Sequence, residues 1–421
     1  MLQAPKGTKD VLPQDSHLWQ WLESAMRKFA SLAGYQEIRT PVIEHTELFQ
    51  RGVGDTTDIV QKEMYTFLDK GKRSITLKPE GTAGVVRALI ENRLYANAQP
   101  TKAYYLNCPI FRYENPQSGR LREHHQFGME CFGAKEPSAE AELIALLIEL
   151  LKYLGLNNLE VSINSIGCKN CRPKYYKALV SYLREHKDSL CKDCVERMDR
   201  NPLRALDCKE EGCKLITKDA PVILDYLCQE CSTHFEKLKA LLEQEQIKFT
   251  VNPHIVRGLD YYTKTVFEII MKTGREGLAL SGGGRYDYLV EELGGPEMPG
   301  VGFGLGMERI LMELQNQHIA LPEEPHLTAY VASVGNEDIP MAFHIVQDLR
   351  KAGIAADCDH LGRSMKAQFK FANKLNVKFV IMAGGEEKER GTVRVRNMHT
   401  GEEKEVSTDN IINTIIEGDN K

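Results

Sequence analysis

A segment of alternating residue types near position 128 carries the side chains of a substrate-binding surface. Gln126, Gly128 and Glu130 fall on one face of a predicted strand, and apolar side chains fall on the other. A small, polar and acidic face in the middle of a sheet suits the floor of a substrate site. The solvent-facing side of an antiparallel sheet shows the same alternation, so the pattern alone leaves both interpretations open.

The loop that precedes this strand is rich in cations. Arg112, Arg120 and Arg122 accompany His124 and His125 between two predicted strands. Guanidinium groups bind phosphate through a fixed fork of donors, so this loop could hold phosphates. Taken alone, its composition is more typical of a solvated hairpin loop.

Four glycines alternate along a later predicted strand, at Gly300, Gly302, Gly304 and Gly306. One face of that strand is therefore bare, and a flat ring could lie on its backbone, although close packing of protein groups would require the same glycines. Arg309 follows on a predicted helix and can reach back over the bare face. The spacing matches neither the dinucleotide-binding G-x-G-x-x-G motif nor a P-loop, so nucleotide binding here needs another architecture.

Two further short motifs carry polar side chains at places suited to binding. Arg257 precedes a predicted strand that bears Tyr261 and Tyr262, while Glu80 and Thr82 lie where a strand turns into a helix. A glutamate near a helix start can simply complement the helix dipole, so neither motif is specific by itself.

Cysteines are concentrated in one part of the chain, since eight of the eleven fall between residues 168 and 231. The C-x-x-C spacing predicts a four-cysteine structural zinc site, with reduced unmetallated thiols as the alternative. Its predicted ligands are Cys168, Cys171, Cys191 and Cys194. A second, looser set consists of Cys208, Cys213, Cys228 and Cys231.

The composition limits the compartment and the partners. The chain has 421 residues, 42% of them hydrophobic and 27% charged, with a formal net charge of −5. These values are typical of a globular multidomain protein, and they exclude a disordered chain and a uniformly basic coat for nucleic acid. We find no signal peptide and no membrane-spanning run, so we expect a cytoplasmic protein in which paired cysteines bind metal more often than they form disulfides.

The elements that must position these residues fall into three regions. Residues 1–322 mix helices and strands and contain every motif above, interrupted by a cysteine-rich, mostly helical insertion at 166–240. Pro322 and Pro325 mark a linker, after which strands and helices alternate through residues 328–421. That alternation predicts a small parallel α/β domain.

Together these motifs closely resemble those of the histidyl-tRNA synthetases, a family of class II aminoacyl-tRNA synthetases. Gly34–Pro41 with the preceding helix is similar to motif 1, Pro109–Gly133 to motif 2 and Gly300–Leu311 to motif 3. RGLDYY at 257–262 and LKPEGTAG at 77–84 are similar to the histidine-specific signatures. The resemblance covers nearly the whole chain.

The resemblance implies an α+β catalytic domain on a six-stranded antiparallel sheet, with an inserted domain and a C-terminal α/β anticodon-binding domain. It implies a homodimer, and a reaction in which L-histidine and ATP, with Mg²⁺, give histidyl-adenylate and pyrophosphate. The histidyl group then passes to the 3′ end of tRNA(His). The alternative is an inactive regulatory subunit of histidine biosynthesis, which the intact ATP residues and the C-terminal domain disfavour.

Residue roles follow from the resemblance, position by position. Arg112 and Arg257 are the implied catalytic residues on the α-phosphate, Arg309 clamps the ATP tail, and Gly302 and Gly304 form the adenine floor. The residues implied to bind histidine are Glu80, Gly81, Thr82, Gln126, Glu130, Tyr261, Tyr262 and Tyr286.

Selection of histidine and contact with tRNA are implied in the same way. The carboxylate of Glu130 accepts from an imidazole N–H, and a substrate without that donor leaves a buried group unpaired. Within the motif 2 loop, Gln117, Arg120 and Arg122 face the tRNA acceptor end. The loop departs from the family pattern at four positions: Asn115, Leu121, Glu123 and His124.

Overall fold

A computed structural model of the chain divides into two compact units, Met1–Pro322 and Glu323–Lys421. Within the described residues, no helix is long and apolar enough to cross a membrane. The structure describes residues 2–55, 57–116, 119–208, 210–272 and 277–419.

An eight-stranded sheet organises the first unit. Six central strands run antiparallel in the order β5-β6-β11-β10-β9-β7, and a short parallel strand, β1 or β8, extends each edge. The predicted six-stranded antiparallel sheet is therefore confirmed. A separate small antiparallel sheet has the order β2-β4-β3. In chain order the strands of the first unit are β1 Gln36–Glu37, β2 Ile43–His45, β3 Tyr65–Leu68, β4 Ser74–Leu77, β5 Thr101–Phe111, β6 Glu123–Phe132, β7 Leu159–Ser165, β8 Phe249–Val251, β9 Thr263–Met271, β10 Leu278–Arg285 and β11 Gly300–Gly306.

One face of the large sheet is buried under helices. The apolar residues of β6, among them Phe127 and Met129, pack with Phe303 of β11 and with Leu22 and Leu147 of the helices α1 and α4. Phe127, Met129 and Cys131 all belong to this core, as the predicted alternation of β6 requires, and Gln126, Gly128 and Glu130 lie on the opposite face. The helices of the first unit are α1 Pro13–Leu32, α2 Thr46–Val53, α3 Thr82–Glu91, α4 Ser138–Tyr153, α5 Arg172–Glu185, α6 Lys192–Arg197, α7 Glu211–Thr217, α8 Gln229–Gln244, α9 Leu289–Glu292 and α10 Met307–Asn316.

The insertion leaves the sheet after β7 and returns to it through α8. Its short helices α5, α6 and α7 enclose a core of their own, in which Tyr175, Leu179 and Leu183 of α5 are fully buried. The partly buried Val256 packs against this core and thereby joins the insertion to the segment that carries Arg257.

The second unit is a mixed sheet with helices on both faces. Its strand order is β13-β12-β14-β15-β16, with parallel pairing among the first three and antiparallel pairing in the hairpin β15–β16. The parallel α/β prediction thus holds for three strands, and the hairpin adds an antiparallel edge. Its elements are β12 Ala329–Ser333, α11 Ile339–Lys351, β13 Ala356–Cys358, α12 Met365–Lys374, β14 Phe379–Ala383, α13 Glu386–Glu389, β15 Thr392–Asn397, β16 Glu403–Ser407 and α14 Ile411–Asp419.

Candidate active site

A glycine-rich patch lies at the centre of the large sheet. In one row across the strands, Glu130 pairs with Gly302, which pairs with Gly284 on its other side. Directly paired residues of antiparallel strands share a face, so these rows form one surface. The neighbouring row consists of three glycines: Gly128, Gly304 and Gly282.

Several of these glycines are needed because another side chain occupies the space that a side chain at their own position would fill. A Cβ at Gly302 would collide with the Glu130 carboxylate, and one at Gly282 would collide with the Arg257 guanidinium. Close packing, one of the two interpretations of the glycine tract, therefore applies to this part of the patch. The remaining pairs of this kind are Tyr105 on Gly128 and Tyr286 on Gly300, whereas a Cβ at Gly284 would first meet the backbone carbonyl of Thr265.

The end of the glycine tract stays open. A Cβ at Gly304 would meet nothing closer than Gln126, at 3.4 Å, and one at Gly306 would meet nothing within 4 Å. Arg309 borders this area, because its Nη1 donates to the carbonyl of Ala279 at 2.6 Å and its Nε to that of Gly119 at 3.0 Å. A flat ring can lie on the backbone here. The assignment of Gly302 to the same floor stays a prediction, although Glu130 covers that residue.

Glu130 is fully buried between hydroxyl donors. Thr82 donates to its Oε1 at 2.8 Å, and Tyr286 donates to its Oε2. Burial raises the pKa of the Glu130 carboxyl to about 8, although the hydrogen bonds from Tyr286 and Thr82 oppose the shift. A buried carboxyl with a raised pKa in a cleft is typical of a functional group.

Glu80 stands at the start of α3, where backbone N–H groups have no partner within the helix. Its carboxylate accepts from the N–H of Thr82 at 2.8 Å and from that of Ala83 at 2.6 Å, which fixes its rotamer. Tyr261 also donates to Glu80, at 3.4 Å. Burial raises the pKa of Glu80, against those backbone hydrogen bonds. Glu80 and Glu130 therefore bracket Thr82 in one acidic pocket.

Aromatic rings enclose this acidic pocket. Tyr261 lies 4.7 Å from Tyr262 and 5.5 Å from Tyr286, measured between ring centroids. Tyr105 was missed by the sequence interpretation, although its ring lies against Gly81 as well as Gly128. No local pattern marks Tyr105, because Gly81 and Gly128 become neighbours of its ring only through the fold.

Arg257 lies over the glycine row and pairs with a second residue that the sequence interpretation missed. Its Nη1 forms a short ion pair with Glu268 of β9, opposite Gly282 in the register. Glu268 is the one acidic residue among the apolar residues at 266–271, but no local pattern places it opposite Gly282. The Nε of Arg257 is buried and finds no hydrogen-bond partner among the described residues, which leaves a donor for a ligand.

The cationic loop of motif 2 lies at the edge of the same face. Arg112 donates to the carbonyl of Pro79 at 2.8 Å, while Glu114 lies 3.6 Å from Arg120. Burial, with Arg112 and Arg309 nearby, lowers the pKa of His124 to about 3, so this ring is neutral at physiological pH. Gln117 lies outside the described residues.

The insertion supports the RGLDYY segment by three hydrogen bonds to consecutive parts of it. Arg204 donates to the carbonyl of Gly258 at 2.7 Å, and Asn201 donates to the carboxylate of Asp260 at 3.0 Å. Arg172 donates to the carbonyl of Tyr262. The backbone next to Arg257 is therefore held from the insertion side.

The predicted grouping of the cysteines is wrong. Cys168 and Cys171 meet Cys228 and Cys231, while Cys191 and Cys194 meet Cys208 and Cys213. The first C-x-x-C pair lies next to the last pair because the start of α8 returns to the place where the insertion begins after β7. Spacing along the sequence contains no information about that return. Each cluster could bind a metal ion.

An antiparallel sheet with a glycine-lined floor, a cationic loop between two of its strands and an arginine on the following helix defines a class II aminoacyl-tRNA synthetase. A family model described as histidyl-tRNA synthetase matches residues 7–310, and one described as anticodon binding domain matches residues 328–418. The chain therefore belongs to the histidyl-tRNA synthetase family.

Relatives of known function match the chain over almost its full length. A histidine–tRNA ligase of Caldanaerobacter subterraneus subsp. tengcongensis is 55% identical over 98% of each chain, and one of Clostridium perfringens is 53% identical over 99% of each. The structure of apo histidyl-tRNA synthetase from S. aureus is 38% identical, with a TM-score of 0.84 over 99% of this chain and 100% of that one. The activity is the ligation of histidine to tRNA, and these matches support it over a regulatory subunit.

Proposed function

We propose that the acidic pocket binds histidine and that the open glycines bind the adenine ring of ATP, supplied as its magnesium complex. Glu80, Gly81 and Thr82 hold the α-amino group, while Gln126 lies near the carboxylate. Glu130, with Tyr261, Tyr262 and Tyr286 around it, receives the imidazole. The single observation that carries this proposal is the buried carboxyl of Glu130, which already accepts two hydroxyl donors and faces the cleft.

Adenylation in this site needs no protein nucleophile, because the carboxylate of histidine attacks the α-phosphorus itself. A new oxygen–phosphorus bond forms as the bond to pyrophosphate breaks. Arg112 and Arg257 stabilise the charge that develops on the α-phosphate oxygens, and Arg309 holds the polyphosphate tail. In the second step the 3′ hydroxyl of the tRNA attacks the carbonyl of the adenylate, and AMP leaves.

We propose contacts with tRNA(His) in two places. Gln117, Arg120 and Arg122 of the motif 2 loop meet the acceptor end, and residues 328–421 read the anticodon. Arg120 supports this role because nearly half of its side chain is exposed and it carries a charge suited to phosphate. We place the protein in the cytoplasm, where its tRNA substrate is found.

We also propose a homodimer formed through Gly34–Pro41 and the end of α1. Leu32 at that helix end and Ile43 just beyond the segment are large apolar side chains that are 73% and 48% exposed. Large apolar side chains that are exposed to solvent favour a protein interface. The catalytic domain in this proposal is 1–322, interrupted by the insertion at 166–240.

The cysteine-rich insertion, in this proposal, holds structural zinc. The sulfur chemistry fits, because four thiolates are the ligand set that zinc accepts in closed structural sites. Zinc takes no part in adenylation. Its contribution is to hold the insertion together.

Arg257→Ala tests the proposed site directly. We expect the variant to lose histidine-dependent ATP–pyrophosphate exchange by about 100-fold or more, because it removes charge stabilisation made in the transition state. The matched control is Arg363→Ala, an arginine of the second unit that pairs with Asp359 at 2.7 Å. Near-normal exchange in Arg257→Ala would refute the assignment.

A further inference from the structure

We propose that the insertion binds two zinc ions, one in each four-cysteine cluster, and that together they hold the donors that position the RGLDYY segment. The cluster of Cys168, Cys171, Cys228 and Cys231 is called the base site, and the cluster of Cys191, Cys194, Cys208 and Cys213 the tip site. The metal sites stand on their own geometry. Their effect on catalysis rests on the function proposed above.

Sulfur positions in the base site match tetrahedral zinc. Zinc–sulfur bonds of about 2.3 Å at tetrahedral angles place sulfurs about 3.8 Å apart. Cys168 Sγ lies 3.7 Å from that of Cys171 and 3.9 Å from that of Cys228. The backbone N–H of Asn170 donates to Cys168 at 3.4 Å, and that of Cys228 donates to Cys171 at 3.1 Å. Such N–H groups stabilise thiolate ligands.

The tip site repeats this arrangement with different elements. Cys191 Sγ lies 3.8 Å from that of Cys208, and the backbone N–H of Cys191 donates to Cys213 at 3.2 Å. Arg197 approaches Cys194 at 3.8 Å and supplies positive charge next to the sulfur cluster. None of these cysteines forms a disulfide. Four thiols that converge at metal-ligand distances, twice in one insertion, define two closed sites.

The two sites bracket the elements that contact the RGLDYY segment. Arg172 follows directly on Cys171 at the start of α5, and it donates to the carbonyl of Tyr262. Arg204 lies in a short turn between Cys194 and Cys208, and it donates to the carbonyl of Gly258. The base site therefore fixes the support of Tyr262, and the tip site fixes the support of Gly258, the neighbour of Arg257.

Metal ions are needed because the insertion is otherwise weakly held. The helices α6 and α7 have six and seven residues, too short to be stable without tertiary support. Their core is small, and structural zinc supplies folding free energy directly to such modules. Loss of zinc therefore loosens the turn at 202–205 before it affects the large sheet.

Metal analysis of the full chain, purified without chelator, tests the sites. We expect two zinc ions per chain and no iron, and we expect cobalt(II) in place of zinc to give thiolate-to-cobalt charge-transfer absorption. Wild type that binds no zinc, or binds iron instead, overturns the proposal. The number of zinc ions per chain is measured by metal analysis alone, so it does not depend on enzymatic activity.

Double variants test the pairing. Cys168→Ser with Cys228→Ser removes two ligands of one site, so one zinc should remain. Cys168→Ser with Cys191→Ser damages both sites, so none should remain. The opposite result, with one zinc in the second variant and none in the first, would show that the cysteines pair in sequence order. Cys108→Ala, at a buried cysteine of β5 that belongs to neither cluster, is the control that keeps both ions.

Arg204→Ala tests the coupling to catalysis while leaving every cysteine in place. We expect this variant to keep both zinc ions and to lose about 10- to 100-fold in kcat for pyrophosphate exchange, with KM for ATP unchanged, because Arg257 loses its backbone support. Arg204→Lys should restore part of the rate. Arg184→Ala, which breaks an exposed pair with Asp199 on the same insertion, is the matched control.

The outcomes separate this inference from the proposed function. Unchanged kcat in Arg204→Ala overturns the coupling, even if two zinc ions are found. Absence of exchange in wild type with two zinc ions bound contradicts the proposed function and leaves the metal sites established. A loss of rate with a matching loss of zinc in Arg204→Ala would mean that Arg204 is only a structural residue.

Discussion

The carboxylate of Glu130 occupies the space that a side chain at Gly302 would need, so no residue larger than glycine fits at position 302 without displacing it. The two residues pair across β6 and β11, so each strand supplies what the other needs. Gly302 leaves room for the carboxylate. Glu130 in turn places a polar group over the glycine-lined face of β11, where it faces the cleft. If Glu130 receives the imidazole as proposed, the selectivity for histidine depends on both residues.

Gly302→Ala is expected to lower kcat/KM for histidine by about 100-fold, because its Cβ displaces Glu130 from the position in which it meets the imidazole. Gly304→Ala is the matched variant, since its Cβ meets only Gln126 at an ordinary contact distance of 3.4 Å. We expect that change to raise KM for ATP and leave KM for histidine the same. Pyrophosphate exchange with each substrate varied checks both. Equal effects of the two variants on histidine would contradict the account.

Glu130 should also set a pH dependence. Because burial raises the pKa of its carboxyl to about 8, it is mostly protonated at neutral pH in the free enzyme. The carboxylate is the stronger acceptor for an imidazole N–H, so kcat/KM for histidine should rise with pH to an inflection near that value. Glu130→Gln should lower kcat/KM and remove the inflection. An unchanged inflection in the variant would assign it to another group.

The stability of Glu130→Gln is the control for that experiment. Between about pH 4.5 and pH 8 the Glu130 carboxyl keeps its proton in the folded state and loses it in the unfolded state. The folded state therefore loses stability as pH rises through this window. Glutamine does not titrate. We therefore expect the melting temperature of the variant, relative to wild type, to increase from about pH 5 to about pH 9. A variant that melts far below wild type throughout would make its loss of activity a folding defect.

A buried ion pair between Glu140 and Arg285 should dominate the acid stability of the catalytic unit. Arg285 donates to Glu140 Oε1 at 2.7 Å and to Oε2 at 2.5 Å, and His234 lies 2.6 Å from the same carboxylate. Burial alone would raise the pKa of Glu140, but the hydrogen bonds from Arg285 and His234 lower it to about 2. Its stabilising effect is thus complete above about pH 4.5 and is lost as pH falls towards 2.

Glu140→Gln is expected to lower the free energy of unfolding by about 3 kcal/mol at neutral pH, since it leaves the buried Arg285 with Asp287, at 3.3 Å, as its remaining acidic partner. The difference from wild type should shrink as pH falls below about 4.5. Urea unfolding at several pH values measures it. Glu47→Gln, at an exposed pair with Arg51, should change stability by less than about 1 kcal/mol. A constant difference across pH would contradict the assigned pKa.

The proposed dimer interface predicts a change of assembly. Glutamate at both Leu32 and Ile43 places charge in a surface that must be desolvated, so Leu32→Glu with Ile43→Glu should shift the protein towards monomer in sedimentation velocity. Leu361→Glu, at a side chain that is 74% exposed in the second unit, should leave the dimer intact. A monomeric wild type, or a double variant that stays dimeric, would place the interface elsewhere.

Much of this architecture follows from local patterns in the sequence. The alternation around Gly128 predicts which residues of β6 share a face, because successive side chains of a strand must point to opposite sides. The glycine spacing predicts that β11 has no side chains of its own on one face. Pro322, in the predicted linker, is also the residue at which the first unit ends.

The rest depends on which strands become neighbours. Tyr105 and Glu268 reach the site only because β5 and β9 lie across from Gly128 and Gly282 in the register, and no local pattern contains that register. The cysteine pairing failed for the same reason. Four C-x-n-C pairs can combine in several ways, and the path of α8 selects among them.

Histidine-dependent ATP–pyrophosphate exchange by the purified full chain is the decisive assay of the proposed histidine site. With each of the common amino acids supplied in turn at equal concentration, we expect rapid exchange with histidine and at least about 10⁴-fold less with any amino acid that lacks the imidazole N–H. Exchange that is absent with histidine, or comparable with glutamine or phenylalanine, would contradict this proposal.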